Sequence, residues 1–71
     1  MLTYFHKNLR KLVKNDTRDA YRLAEYLGIP RSTFFYYMLD DGVKSISIKN
    51  LKKICDHFQI PAQRMLFEDI E

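Results

Sequence analysis

The stretch from Ala20 to Tyr37 constrains this chain more than any other feature. Ala20, Leu23, Ala24 and Leu27 recur at i, i+3, i+4 and i+7, the buried stripe of a two-turn helix. Gly28 follows at once, and glycine is the residue type that takes positive φ and closes a helix. Ile29-Pro30-Arg31 is a tight connection to a second helix, whose inward face is Phe34, Tyr37 and Met38. Proline suits the first turn of a new helix. So short a link cannot return the chain as an antiparallel hairpin. It suits two helices crossing steeply, which is helix-turn-helix geometry. Ala24 allows close approach, Ile29 plugs the space beneath the turn, and Phe34 and Tyr37 anchor the second helix. Arg31, Ser32, Phe35, Tyr36 and Leu39 are left on its outward side.

The rest of the chain reads the same way. Leu2, Phe5, Leu9, Leu12 and Val13 form one helical stripe, with Lys7, Arg10, Lys11 and Lys14 turned away from it. Asn15-Asp16-Thr17 supplies a stop and candidate N-caps for the next helix. The third helix is expected over about Arg31 to Leu39, ended by the turn residues Asp40-Asp41-Gly42. Ser45 to Ile48 alternates like a strand, but only for four residues. Ser47 is better placed as the N-cap of a fourth helix, with Ile48, Leu51, Ile54, Cys55 and Phe58 as its stripe. Ile60-Pro61 then opens a last short helix carrying Met65 and Leu66. The expectation is an all-α fold, a compact bundle of five short helices. It forms one domain over residues 1–71, with its body at about 5–67. Leu9, Leu12, Leu23, Ala24, Leu27, Phe34, Tyr37, Leu51, Ile54 and Phe58 are expected in one core.

Composition narrows the function. A chain of 71 residues has little room for a deep catalytic cleft. No Ser/His/Asp set, Gly-rich phosphate loop or carboxylate pair occurs at catalytic spacing, so neither an enzyme nor a cofactor is expected. His6, Cys55 and His57 invite a metal, but one Cys-x-His pair without a second pair does not make a zinc site. Cys55 falls on an apolar stripe, where a small buried thiol is ordinary. One cysteine cannot form an internal disulfide, and a reducing cytoplasm is the default expectation. No apolar run reaches the roughly 18 residues of a membrane span, and the N-terminal apolar stretch is too short for a signal peptide. The net charge of +3 is unevenly divided. Residues 1–53 hold eleven Lys/Arg against five acids, while residues 54–71 hold one Arg against four acids. A basic body with an acidic tail suits an anionic partner, or simply a solvated surface of mixed charge.

Leu23-Ala24-Glu25-Tyr26-Leu27-Gly28-Ile29-Pro30-Arg31-Ser32-Thr33-Phe34 is similar to the Leu-Ala-x-x-Leu-Gly-Val-Ser-x-x-Thr-Ile of the lambda-repressor-like helix-turn-helix family, the fold of Cro and phage repressors. Ser47-Ile48-Lys49-Asn50-Leu51-Lys52-Lys53-Ile54-Cys55 resembles the family's fourth helix. Phe58-Gln59-Ile60-Pro61 with Met65-Leu66 resembles its closing element. The resemblance implies a sequence-specific DNA-binding transcriptional regulator of phage or bacterial type, its third helix lying in the major groove of double-stranded DNA. On that footing Arg31, Ser32, Thr33, Phe35 and Tyr36 face the groove. Lys44, Lys49 and Asn50 gather near the start of the fourth helix, where the family meets the phosphate backbone. Two positions depart from the pattern. Ala20 stands where family members often carry a phosphate-contacting Gln, and Phe35 is an unusual neighbour on a face that is often polar.

Each of these residues has competing uses. Arg31 suits a bidentate contact to guanine O6 and N7, a phosphate contact, or plain solvation at a helix start. Ser32 is a base or phosphate donor, or a hydrogen bonder of the helix start. Lys44, Lys49 and Asn50 suit a phosphate contact or a solvated face, and Lys7, Lys11 and Lys14 suit a solvated face. Phe35 and Tyr36 occupy successive 100° positions, so both cannot be buried. They suit thymine methyls in a groove, or an exposed anchor for a protein. The second use describes a different molecule: a modulator or antirepressor that docks on a repressor or other protein. Phe67 and Ile70, past the last core position, are candidates for a homodimer interface, or pack the chain's own end.

Overall fold

The computed structural model describes residues 4–39 and 46–70. Five helices follow in chain order: α1 Phe5–Lys14, α2 Ala20–Leu27, α3 Arg31–Tyr37, α4 Ile48–Phe58 and α5 Ala62–Phe67. No strand occurs among the described residues. The expected turn Asp40-Asp41-Gly42, the candidate Lys44, Ser45 and Leu2 lie outside the described residues.

α1 starts without a side-chain cap. Its first turn is held instead by the Tyr4 N–H, which donates to the Leu66 carbonyl of α5 at 2.8 Å. Phe5, Asn8, Leu9 and Val13 face inward, and Leu12 is only half-buried. Asn8 is the surprise, because it is a polar residue with 0% exposure. Its Nδ2 donates to the carbonyls of Met65 at 2.8 Å and Glu68 at 2.7 Å. Its Oδ1 accepts from the Ile70 N–H at 3.0 Å. Lys11 adds an ion pair to Asp69 at 2.7 Å and a hydrogen bond to the Ile70 carbonyl at 2.9 Å. The bond from Lys11 holds the Asp69 carboxyl below its ordinary pKa. The acidic tail therefore lies along basic α1. Ile70 is buried by this docking, so it packs the chain's own end and is not available for a dimer interface. Phe67 is exposed.

The α1–α2 loop corrects the capping expectation. Asp16 Oδ1 accepts from the Arg18 N–H at 2.8 Å and closes the turn, which leaves Asp19 to cap α2 by accepting from Arg22 N–H at 2.9 Å. Gly28 adopts φ 75, and two hydrogen bonds seal the helix end. Ile29 N–H donates to the Ala24 carbonyl at 3.0 Å and Gly28 N–H to the Glu25 carbonyl at 3.1 Å, a Schellman motif. A Cβ on Gly28 would meet only Lys53 Nζ at 3.5 Å, so the backbone angle, not space, calls for glycine. Ile29, at 3% exposure, fills the space under the turn.

α3 is shorter than expected and ends at Tyr37, because Met38 N–H turns back to the Phe35 carbonyl at 3.0 Å. Phe34 and Tyr37 are its buried residues. Tyr37 meets Phe5 of α1 edge to face, with ring centroids 6.3 Å apart. In α4, Ser47 caps as expected, accepting from Asn50 N–H at 3.1 Å. Ile48 does not join the stripe: it is 85% exposed. It lies on the same side as Cys55 but two turns nearer the helix start, where no described element covers it. Leu27, Leu51 and Phe58, like Leu12, form the half-buried rim of the core. Its centre is Phe5, Leu9, Leu23, Ala24, Phe34, Ile54 and Met65.

His57 ties α4 to the loop before α2. Its Nε2 lies 2.9 Å from Asp16 Oδ2, and the two side chains are 17% and 12% exposed. An ionised carboxylate only accepts, so Nε2 carries the hydrogen. The imidazole also meets Phe58 at 4.7 Å and Tyr26 at 5.6 Å, and the Arg18 guanidinium covers Tyr26 at 4.0 Å. The Arg18 N–H and then His57 hold the Asp16 carboxyl below its ordinary value of 3.8. A lowered folded-state pKa gives stability that is complete above 3.8 and is lost as pH falls through the folded value. Urea midpoints taken from pH 6 to 2 are therefore expected to fall in acid, and Asp16→Asn to flatten that fall. An unchanged slope in the variant would remove Asp16 from the acid response.

Candidate nucleic-acid interface

Two helical turns carry the candidate surface. Burial of Phe34 and Tyr37 fixes the rotation of α3 and turns Arg31, Ser32 and Tyr36 outward. Thr33 and Phe35 are half-buried at the margins of this face. The two adjacent aromatics thus part company. Phe35 meets Tyr21 of α2 edge-on, with ring centroids 4.9 Å apart, whereas Tyr36 is 40% exposed. Phe35 braces α3 against α2; Tyr36 is available to a partner.

Arg31 does not hang free in solvent. One Nη donates to Glu25 Oε2 at 3.0 Å, and the guanidinium sits 5.3 Å from the centre of the Tyr21 ring. Glu25 and Tyr21 are four residues apart on α2 and so share one side of it. Neither was singled out from the sequence. Their i, i+4 spacing was legible, but their nearness to Arg31 depends on how α2 and α3 cross.

At the start of α4, Lys49 is exposed. Asn50 is half-buried and committed inward, its Nδ2 donating to the Tyr37 hydroxyl at 2.9 Å. That bond locks α4 to the back of α3. Lys53 reaches the end of α2, with Nζ 3.5 Å from the Gly28 carbonyl. The structure therefore brings Arg31, Ser32, Thr33, Phe35 and Tyr36 onto one helix. It sets Lys49 and Asn50 at the next helix start, and uses Asn50 as a tie.

What the arrangement can do follows from its chemistry. It presents a guanidinium, a hydroxyl and a phenol on the outward side of α3, with a lysine at the start of α4. These are donors for base edges and phosphate oxygens. No metal-binding group of three or more His, Cys, Asp or Glu occurs among the described residues. Cys55 is buried, and burial raises its thiol pKa. No helix among the described residues is long and apolar enough to cross a membrane. Comparison with curated proteins and with solved structures found no match. The pattern of the Cro/C1-type HTH (helix-turn-helix) DNA-binding domain matches residues 8–63, from the middle of α1 into α5 and across the whole candidate surface. By that match, which spans well over half of the chain, and by five helices built around the α2–α3 turn, the protein belongs to the Cro/C1-type helix-turn-helix DNA-binding family.

Proposed function

We propose that this chain is a sequence-specific transcriptional regulator of the phage or bacterial Cro and repressor kind, acting on double-stranded DNA in the cytoplasm. The observation that supports this reading best is the pairing on α3 of an outward Arg31, Ser32 and Tyr36 with a fully packed back. A rigid back gives the outward side chains fixed positions, as base readout requires. On this reading α3 lies in the major groove, with Arg31 on a guanine, Ser32 on a base or phosphate and Tyr36 against a thymine methyl. Lys49 contacts the phosphate backbone.

The domain measures 29 × 24 × 18 Å, while half-sites of one helical turn stand about 34 Å apart. One copy covers one half-site, so an operator takes two. The exposed Phe67 is the C-terminal side chain available for such pairing.

Selection from a random-sequence DNA pool at near-physiological salt tests the reading, with a consensus as the expected result. On that consensus, Arg31→Ala is expected to lose about 1–3 kcal/mol and relax preference at one base pair. Lys49→Ala should instead weaken all sequences alike and lower the salt slope by about one unit. A chain that retains no DNA, or every sequence equally, would overturn the proposal.

A further inference from the structure

Arg31 is the strongest base-reading side chain on α3, yet it sits in a seat built by α2. Glu25 takes one of its N–H groups at 3.0 Å, and the Tyr21 ring lies 5.3 Å from its guanidinium. Tyr21 is in turn held edge-on by Phe35 at 4.9 Å. Both ion-pair partners are more than half exposed, at 54% and 62%, so the pair adds little to folding. Its consequence lies at the DNA surface.

An arginine has two ways to engage DNA, and they make different demands. A phosphate contact needs only a positive charge that can reach an oxygen. A guanine contact needs the guanidinium plane aligned for two parallel hydrogen bonds. A free arginine at a helix start favours the phosphates, because they are nearer on approach and present on every sequence. The seat changes both terms. Glu25 offsets part of the charge that draws Arg31 to phosphate, and its carboxylate repels phosphate in its own right. The same bond leaves four of the five guanidinium N–H groups available, and together with the Tyr21 ring it restrains the guanidinium's position.

We propose that Glu25 is a specificity-determining residue, a positioning carboxylate that restrains Arg31 from sequence-blind phosphate contact and orients it for a base edge. The inference rests on α3 as the DNA-reading element. Tyr21 supplies the floor of the seat, and Phe35 keeps Tyr21 in place. The aromatic pair thus divides its work, Phe35 supporting Arg31 and Tyr36 facing outward.

The test compares the unaltered chain with Glu25→Gln, Arg31→Ala and the double variant, each titrated against the selected duplex and a random duplex over a range of salt. Thermal melts of Glu25→Gln are expected to match the unaltered chain, because Glu25 is exposed. Glu25→Gln is expected to bind random duplex more tightly and to steepen the salt slope there by about one unit, as Arg31 joins the phosphates. The ratio of selected to random affinity should fall about three- to tenfold. In the Arg31→Ala background, Glu25→Gln should leave that ratio unchanged. Equal gains on both duplexes would make Glu25 a plain repulsive charge and overturn the proposal. A ratio that falls equally without Arg31 would overturn it too. Failure of the unaltered chain to retain any duplex at low salt would defeat the DNA reading itself, and with it the role of Glu25.

Discussion

Truncation of Phe34 to alanine is expected to remove most of the chain's folding stability and to lower its melting temperature by more than about 10 °C. Phe34 has 0% exposure and is one of the two side chains by which α3 enters the core. Removing a fully buried ring costs about 3–5 kcal/mol, from lost transfer free energy and from the cavity left behind. A domain of 71 residues has little surplus, since small domains bury a smaller share of their surface and sit near the low end of about 5–15 kcal/mol. α3 has few other means of holding on. It has seven residues, no side-chain cap, and only Tyr37 as a second buried anchor. Loss of Phe34 therefore releases α3 together with everything it presents. Far-ultraviolet circular dichroism against temperature checks this. A Phe34→Ala chain melting at the parent temperature would mean that α3 packs in a different register.

Asn8→Ala is expected to cost about 3 kcal/mol or more, although it removes no large apolar group. The Asn8 amide makes three hydrogen bonds, to the Met65 and Glu68 carbonyls and from the Ile70 N–H. Each buried group left without a partner costs about 1–3 kcal/mol. The tail can relieve that cost by detaching to water, but it then uncovers Ile70 and the side of Met65. Both routes weaken the fold. Asn8→Asp should be at least as damaging, because it aims a carboxylate at two carbonyl oxygens and removes both donors. Urea midpoints give the size of the loss. Amide exchange at Ile70 reports the route, with protection expected to vanish in Asn8→Ala. A variant that keeps both midpoint and protection would show that packing and Lys11 hold the tail without Asn8.

The helices were legible because their signals are local. Periodic apolar residues at Leu23, Ala24 and Leu27, glycine at 28, proline at 30 and Ser47 before α4 act through the backbone angles and hydrogen bonds of adjacent residues. Such effects operate whatever the rest of the chain does. The tight α2–α3 turn followed from them, and with it the outward placement of Arg31, Ser32 and Tyr36. The cap at Asp19 was missed for a local reason: Asp16 and Asp19 are both competent caps, and only Asp16's use in the turn separates them.

The remainder was illegible because it joins residues far apart in the chain. Asn8 meets residues 57 to 62 positions away, and no periodicity marks a polar residue on an apolar stripe as a clamp. His57 finds Asp16 across 41 positions, where spacing suggested at most a poor metal ligand. Ile48 and Ile70 show the limit from both sides. An apolar residue at the right periodic position stays exposed when nothing arrives to cover it, and one near a chain end is buried when Asn8 and Lys11 draw it in. Burial is a property of two surfaces, and the chain's local pattern describes only one of them. Arg31 follows the same rule. Its place on α3 is set by the residues around it, but its seat on Glu25 and Tyr21 exists only through the crossing of two packed helices.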